Sequence, residues 1–229
     1  MSSKHADWAA LVFGFSTLLL AAVLLSILPS KAELSDGFST PIIAFEFAKT
    51  EKDLEFLSGH SVESQANRAR MDSAHQWDMV FPFAYGGFLF FLLLGLVSRG
   101  SRVAWIGLPF ALLAIPFDIL ENLTLLNITE ALGNSASIAG YLETLYWRTW
   151  LKWGAIGMGI LCIALGMLGK KEFTSGILGV AVASSVGICW LSGSMPVLTE
   201  LMSLSISVFF VWCFIKTVIH IRRRQPEIV

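Results

Sequence analysis

Asp118, Glu121 and Asn122 sit in an otherwise apolar run of this sequence at i, i+3 and i+4, a spacing that puts all three on one helix face. Arg148 and Lys152 share a face in the next apolar run, together with the small residues Ala155 and Gly159. Asp78 and Tyr85, seven residues apart, can look toward the same region from a third run. Ionisable side chains inside a membrane-like segment are costly, so they face a cavity or one another. Carboxylates so placed bind a cationic or polar group or exchange protons, and the two bases can hold an anionic head group. The competing reading is an ion-pair network of Asp78, Asp118 and Glu121 against Arg148 and Lys152 that only sets helix register. Both readings stand on the residues alone.

Other chemistries lack residues. There is no nucleophile elbow, zinc helix motif, phosphate loop or Cys/His pairing, so no cofactor and no metal is expected. Cys162, Cys189 and Cys213 lie in apolar runs and behave as small hydrophobes. His60 with Glu63, and Asp72 with His75 and Asp78, drift around a helix surface and read as solvated loop residues. Trp147, Trp150 and Trp153 read as an outer aromatic belt.

The elements that must position these groups follow from composition. The 229 residues are 55% hydrophobic and 14% charged, and the mean hydropathy is +0.69, which is beyond what a water-soluble domain carries. A net charge of −1 with scattered bases excludes nucleic acid as a partner. Segments of about 20 apolar residues occur at 8–28, 79–97, 103–126, 146–168, 173–191 and 196–219. The expected fold is an all-α polytopic membrane helix bundle, one membrane domain of six spans. The first span is too long for a signal core, although Ser30, Lys31 and Ala32 make a passable cleavage site.

Arg99 and Arg102, Lys170 and Lys171, and Arg222, Arg223 and Arg224 fall in alternate connections, whereas 127–145 and 192–195 carry no base. The positive-inside rule then puts both termini in the cytoplasm. Residues 29–77 form an extracytoplasmic loop with short helices: Thr50 to Asp53 resembles a capping box, and a polar helix from about Ser61 runs into span two. Ile42, Ile43, Phe45 and Phe47 are expected to dip into the outer interface. Pro109 and Pro116 can kink span three. Asp118 lies about 22 Å along that span from Val103 at about 1.5 Å per residue, so the charged groups gather in the outer half. Gly179, Ala183 and Gly187 make a small-residue stripe suited to close packing or a membrane-protein or homo-oligomeric partner.

Trp77, Asp78, Phe81, Tyr85 and Gly86 spell DxxFxxxYG; Asp118, Glu121 and Asn122 spell DxxEN; Lys152 and Trp153 give a lysine followed by an aromatic. In this order the segments resemble a family of bacterial multi-pass membrane proteins with no assigned activity. The resemblance covers the middle half of the chain and implies a shared architecture and a bacterial inner-membrane setting. The functional expectation is a protein that binds or moves a small amphipathic or lipid-like molecule in an outward-facing pocket, with Asp118 and Glu121 as the acidic centre and Arg148 and Lys152 as counter-charges. An integral-membrane enzyme using Asp118 or Glu121 as acid and base is the alternative, and a scaffold held by its charges the third.

Overall fold

The computed structural model describes residues 3–30 and 32–224. Lys31 of the possible cleavage site and the side chain of Arg224 lie outside the described residues. The chain folds into α1 (Ser3–Ile27), α2 (Pro41–Glu46), a 3-10 helix (Glu51–Leu57), α3 (Val62–Asp78), α4 (Phe81–Ser98), α5 (Val103–Gly133), α6 (Ala139–Gly169), α7 (Phe173–Leu191) and α8 (Pro196–Arg224), with no strand among the described residues. Among the described residues six helices are long and apolar enough to cross a membrane, the second being the rod of α3 and α4. That rod is interrupted at Met79 and Val80 because Pro82 has no N–H for the Asp78 carbonyl.

The six long helices close a ring: α4 packs on α1 and α5, α6 on α5 and α7, and α8 on α7 and α1, with α4 also reaching α6 across the centre. In lipid the attraction between helices comes from packing rather than from water exclusion, and close backbone approach is where it is strongest. A Cβ added at Gly107 would sit 2.6 Å from the Leu93 side chain and 2.7 Å from Cys162 Cβ, and one at Gly179 would sit 2.7 Å from Ala164 Cβ. The small-residue stripe of α7 packs at Gly179 and Ala183, while a Cβ at Gly187 would meet nothing within 4 Å.

Two differences from the sequence expectation shape the site. The connection between spans three and four is not a loop over 127–145: α5 runs to Gly133, α6 starts at Ala139, and Ser135 makes the turn at φ 54°. Leu125, Ile128, Ala131, Leu142 and Leu145 are all apolar at helical spacing, and they bury against Phe45, Leu54, Leu57 and Met71 in a second core above the bundle core. Residues 29–77 and the outer ends of α5 and α6 thus form a cap that is a packed layer. Nor do Ile43, Phe45 and Phe47 lie in an interface. Ile43 and Phe47, one turn apart, enter the bundle core, while Ala44, Phe45 and Ala48 enter the cap core. The short helix α2 is therefore a wedge between two cores. Pro109 and Pro116 leave α5 continuous over its whole length.

The wedge is tied down on several sides. Glu200 of α8 accepts from the N–H groups of Ser39 and Thr40 at 2.9 and 2.7 Å and from Thr40 Oγ1 at 2.6 Å, capping the start of α2 from another helix. Lys49 Nζ donates to the Gly193 carbonyl at 2.5 Å in the α7–α8 turn. The expected capping box forms, with Asp53 accepting from the Thr50 N–H at 2.9 Å. Arg68 of α3 holds the far end of the 3-10 helix through the carbonyls of Leu57 and Gly59.

Candidate binding cavity

Beneath α2 lies a cavity of about 220 Å³. Its polar lining is Glu46, His75, Asp78, Tyr85, Asp118 and Lys152, with Ser203 and Ser207 toward α8, and its walls are mainly apolar, among them Leu24, Leu28, Ile156, Ile206 and Phe210. Most of the polar residues are deeply buried, but Leu25 of α1 is 66% exposed and Ser207 of α8 is also exposed. The mouth consequently opens sideways, along the seam where the cap-side halves of α1 and α8 face each other, and α2 and α3 roof it.

At the polar end the ammonium of Lys152 bridges two carboxylates, Glu46 Oε2 at 2.9 Å and Glu121 Oε2 in direct contact. Glu46 also accepts from Trp153 Nε1 at 3.0 Å, and its backbone carbonyl accepts from Thr149 Oγ1 at 3.1 Å, so α6 fixes the end of the wedge. The ammonium lies 4.8 Å from the Trp153 ring centre, a cation–π distance. Asp118 accepts from Tyr85 OH at 2.7 Å and from Asn122 Nδ2 at 3.1 Å. The Asn122 amide is thereby oriented with its oxygen toward α3, where His75 Nδ1 lies at 3.2 Å. The Asn122 oxygen requires a hydrogen on His75 Nδ1, and in the neutral imidazole this leaves Nε2, which is buried and has no hydrogen-bond partner among the described residues, as a bare acceptor. Asp78 stands within electrostatic reach of Asp118, Lys152 and Glu46.

The expected site residues therefore divide. Asp78, Tyr85, Asp118 and Lys152 meet at the cavity, while Glu121 and Asn122 stand behind it and hold Lys152, Asp118 and His75 in place. Arg148 is not a counter-charge. Its Nη1 donates to the Leu120 carbonyl at 2.8 Å and to Thr124 Oγ1 at 2.6 Å, because α5 and α6 run antiparallel and one turn nearer the cap α5 offers Thr124 where Lys152 finds Glu121. The aromatic belt is reduced to Trp147, since Trp150 and Trp153 are each 8% exposed and belong to the core. His75 is wholly buried and is no solvated loop residue.

Glu46 was outside the expected set. Its signal was a lone acid in the apolar stretch Pro41 to Ala48, easily passed over in a segment assigned to a loop. With it the charge balance changes. Four carboxyl groups, Glu46, Asp78, Asp118 and Glu121, share one ammonium, a formal surplus of three negative charges when all are ionised. An ion-pair network that only fixed register would be closer to neutral, because uncompensated buried charge is strongly destabilising. Protons or a bound positive group must supply the balance.

Comparison of the chain with family models, curated proteins and solved structures found no match. Fold and site thus define a class only: an all-helical chain with six potential membrane spans and a buried, acid-rich cavity reached from the side.

Proposed function

We propose that this chain is a bacterial inner-membrane protein that binds or moves a small amphipathic or lipid-like molecule in the cavity beneath α2. The observation that carries the proposal is the lateral mouth. An amphipath in a bilayer presents its chain at the depth of the α1–α8 seam, and the cavity offers apolar walls next to that seam and polar groups further in. Both termini are cytoplasmic in this reading, because the basic turns at Arg99 and Arg102 and at Lys170 and Lys171 lie at the end opposite the cap, as do Arg222 and Arg223. The resemblance carried by DxxFxxxYG and DxxEN adds support for the bacterial setting.

The test fills the cavity. Ile206, 4% exposed, lies in the cavity wall on α8. Mass spectrometry of the lipid extract from purified wild type should show an enriched amphipath, and Ile206→Trp, at unchanged thermal stability, should lose it. Equal contents in the two proteins would refute a working cavity.

An enzyme is the second reading, favoured by Asp118, which faces the cavity with the protic Tyr85 hydroxyl on one of its oxygens. Glu121 stands behind Lys152, so the acid and base role falls to Asp118. A precursor that accumulates only in a deletion strain distinguishes catalysis from binding.

A further inference from the structure

We propose that the head group taken by the cavity is a cationic hydrogen-bond donor, a primary amine on an apolar chain. The inference rests on the reading of the cavity as a binding site and adds the chemistry of what it binds.

Hydrogen-bond bookkeeping carries it. Ser203 of α8 and the third hydrogen of Lys152 aside, the donors at the cavity wall are spent within the protein, while acceptors remain open. The Tyr85 hydrogen is spent on Asp118, and the Trp153 N–H is spent on Glu46. The Lys152 ammonium, with its side chain 5% exposed, is engaged by Glu46 and Glu121. Asn122 gives N–H groups to Asp118 and Asp78 and receives the His75 Nδ1 hydrogen. The acceptors that remain open are the Nε2 of His75, a side chain with no exposure at all, and the lone pairs of the Asp78 carboxylate that its hydrogen bond with Asn122 leaves free, in a residue 9% exposed. His75 and Asp78 lie one turn apart on α3, and both line the cavity. An orphaned buried acceptor costs free energy until a donor reaches it, so the complement of this wall carries several N–H or O–H groups.

Charge narrows the donor. The lining holds three carboxyl groups, Glu46, Asp78 and Asp118, to one ammonium already shared with Glu121. A carboxylate or phosphate head group would bring more acceptors and more negative charge into the same space. An alcohol satisfies His75 but leaves the charge to be balanced by protons on the carboxyl groups. An ammonium does both, offering three hydrogens and one positive charge.

The experiment compares three probes of one chain length, dodecylamine, dodecanol and dodecanoate. Each is titrated into the wild-type protein in phosphatidylcholine nanodiscs, with binding read from the thermal midpoint and counted only where Ile206→Trp abolishes it. Dodecylamine should bind at least tenfold tighter than dodecanol, with dodecanoate weakest, and Asp78→Asn should remove most of the preference for the amine. If dodecanol or dodecanoate binds as tightly as the amine in an Ile206→Trp-sensitive way, the amine assignment is wrong and the cavity reading survives. If no probe shows Ile206→Trp-sensitive binding and the lipid extracts of the two proteins are alike, both fall.

Discussion

Replacing Lys152 with methionine tests whether the carboxylates of α2 and α5 depend on a single ammonium. In the native protein Lys152 Nζ lies 2.9 Å from Glu46 Oε2 and touches Glu121 Oε2, with both side chains almost fully buried. Methionine keeps much of the volume and removes the charge, leaving Glu46 with Trp153 Nε1 and Glu121 with no other side-chain partner. Breaking a buried pair in this way costs about 3 to 5 kcal/mol, which is about 150- to several-thousand-fold in the unfolding constant at about 1.4 kcal/mol per tenfold. The companion variant combines Lys152→Met with Glu46→Gln and Glu121→Gln. Neutralising all three members removes the unpaired charge, so stability should return to within about 1 kcal/mol of wild type. Equilibrium unfolding of the purified protein in mild detergent, run on the single, the carboxyl double and the triple variant, gives the coupling directly. A loss below about 1 kcal/mol in Lys152→Met, or a triple variant no more stable than the single, would refute the bridging role.

Glu200→Ala removes the three hydrogen bonds that hold Ser39 and Thr40; because water reaches these partly exposed groups, the net loss should be about 2 kcal/mol in all, that of one charge-assisted bond, and amide exchange over residues 40–47 should speed up about thirtyfold while exchange in α5 stays unchanged. Gly107→Ala should lose about 1 to 3 kcal/mol in the same unfolding assay, because the new methyl meets Cys162 Cβ at 2.7 Å with no room to withdraw. Ser135→Gly should gain about 1 kcal/mol, since Ser135 holds φ 54° in the α5–α6 turn, where a Cβ is penalised.

Periodicity made the long helices legible, because a span needs an unbroken apolar run and nothing else in a chain has that length. It also put Asp118, Glu121 and Asn122 on one face and Lys152 on another, and these faces meet. The cap was harder, for two physical reasons. Its helices bury side chains against the outer turns of α5 and α6, so Leu125, Ile128 and Leu142 look like the frayed ends of membrane spans until Phe45 and Leu57 are seen opposite them. The two residues that complete the site, Glu46 and His75, sit in polar or short segments where burial leaves no trace in hydropathy. Arg148 failed as a counter-charge for a related reason: spacing on one helix says which residues share a face, and only the antiparallel register of α5 against α6 says which partner stands at each level.

The tethers of α2 bear on how the cavity can exchange its contents. The roof is bonded to α6 through Glu46, to α8 through Glu200 and to the α7–α8 turn through Lys49, so lifting it breaks contacts on three sides at once. The seam of α1 and α8 is different. It is pinned at the middle of α1, where a Cβ at Gly14 would sit 2.9 Å from Phe214, and at the end opposite the cap, where His220 lies 3.5 Å from Asp7, whereas beside the cavity Leu25 and Ser207 are exposed. Splaying the free halves of two helices hinged at their far ends disturbs fewer bonds than lifting the roof. If the cavity binds an amphipath as proposed, entry and exit run through that seam, and Glu200→Ala should change exchange in α2 far more than it changes the rate at which a chain-bearing amine is taken up.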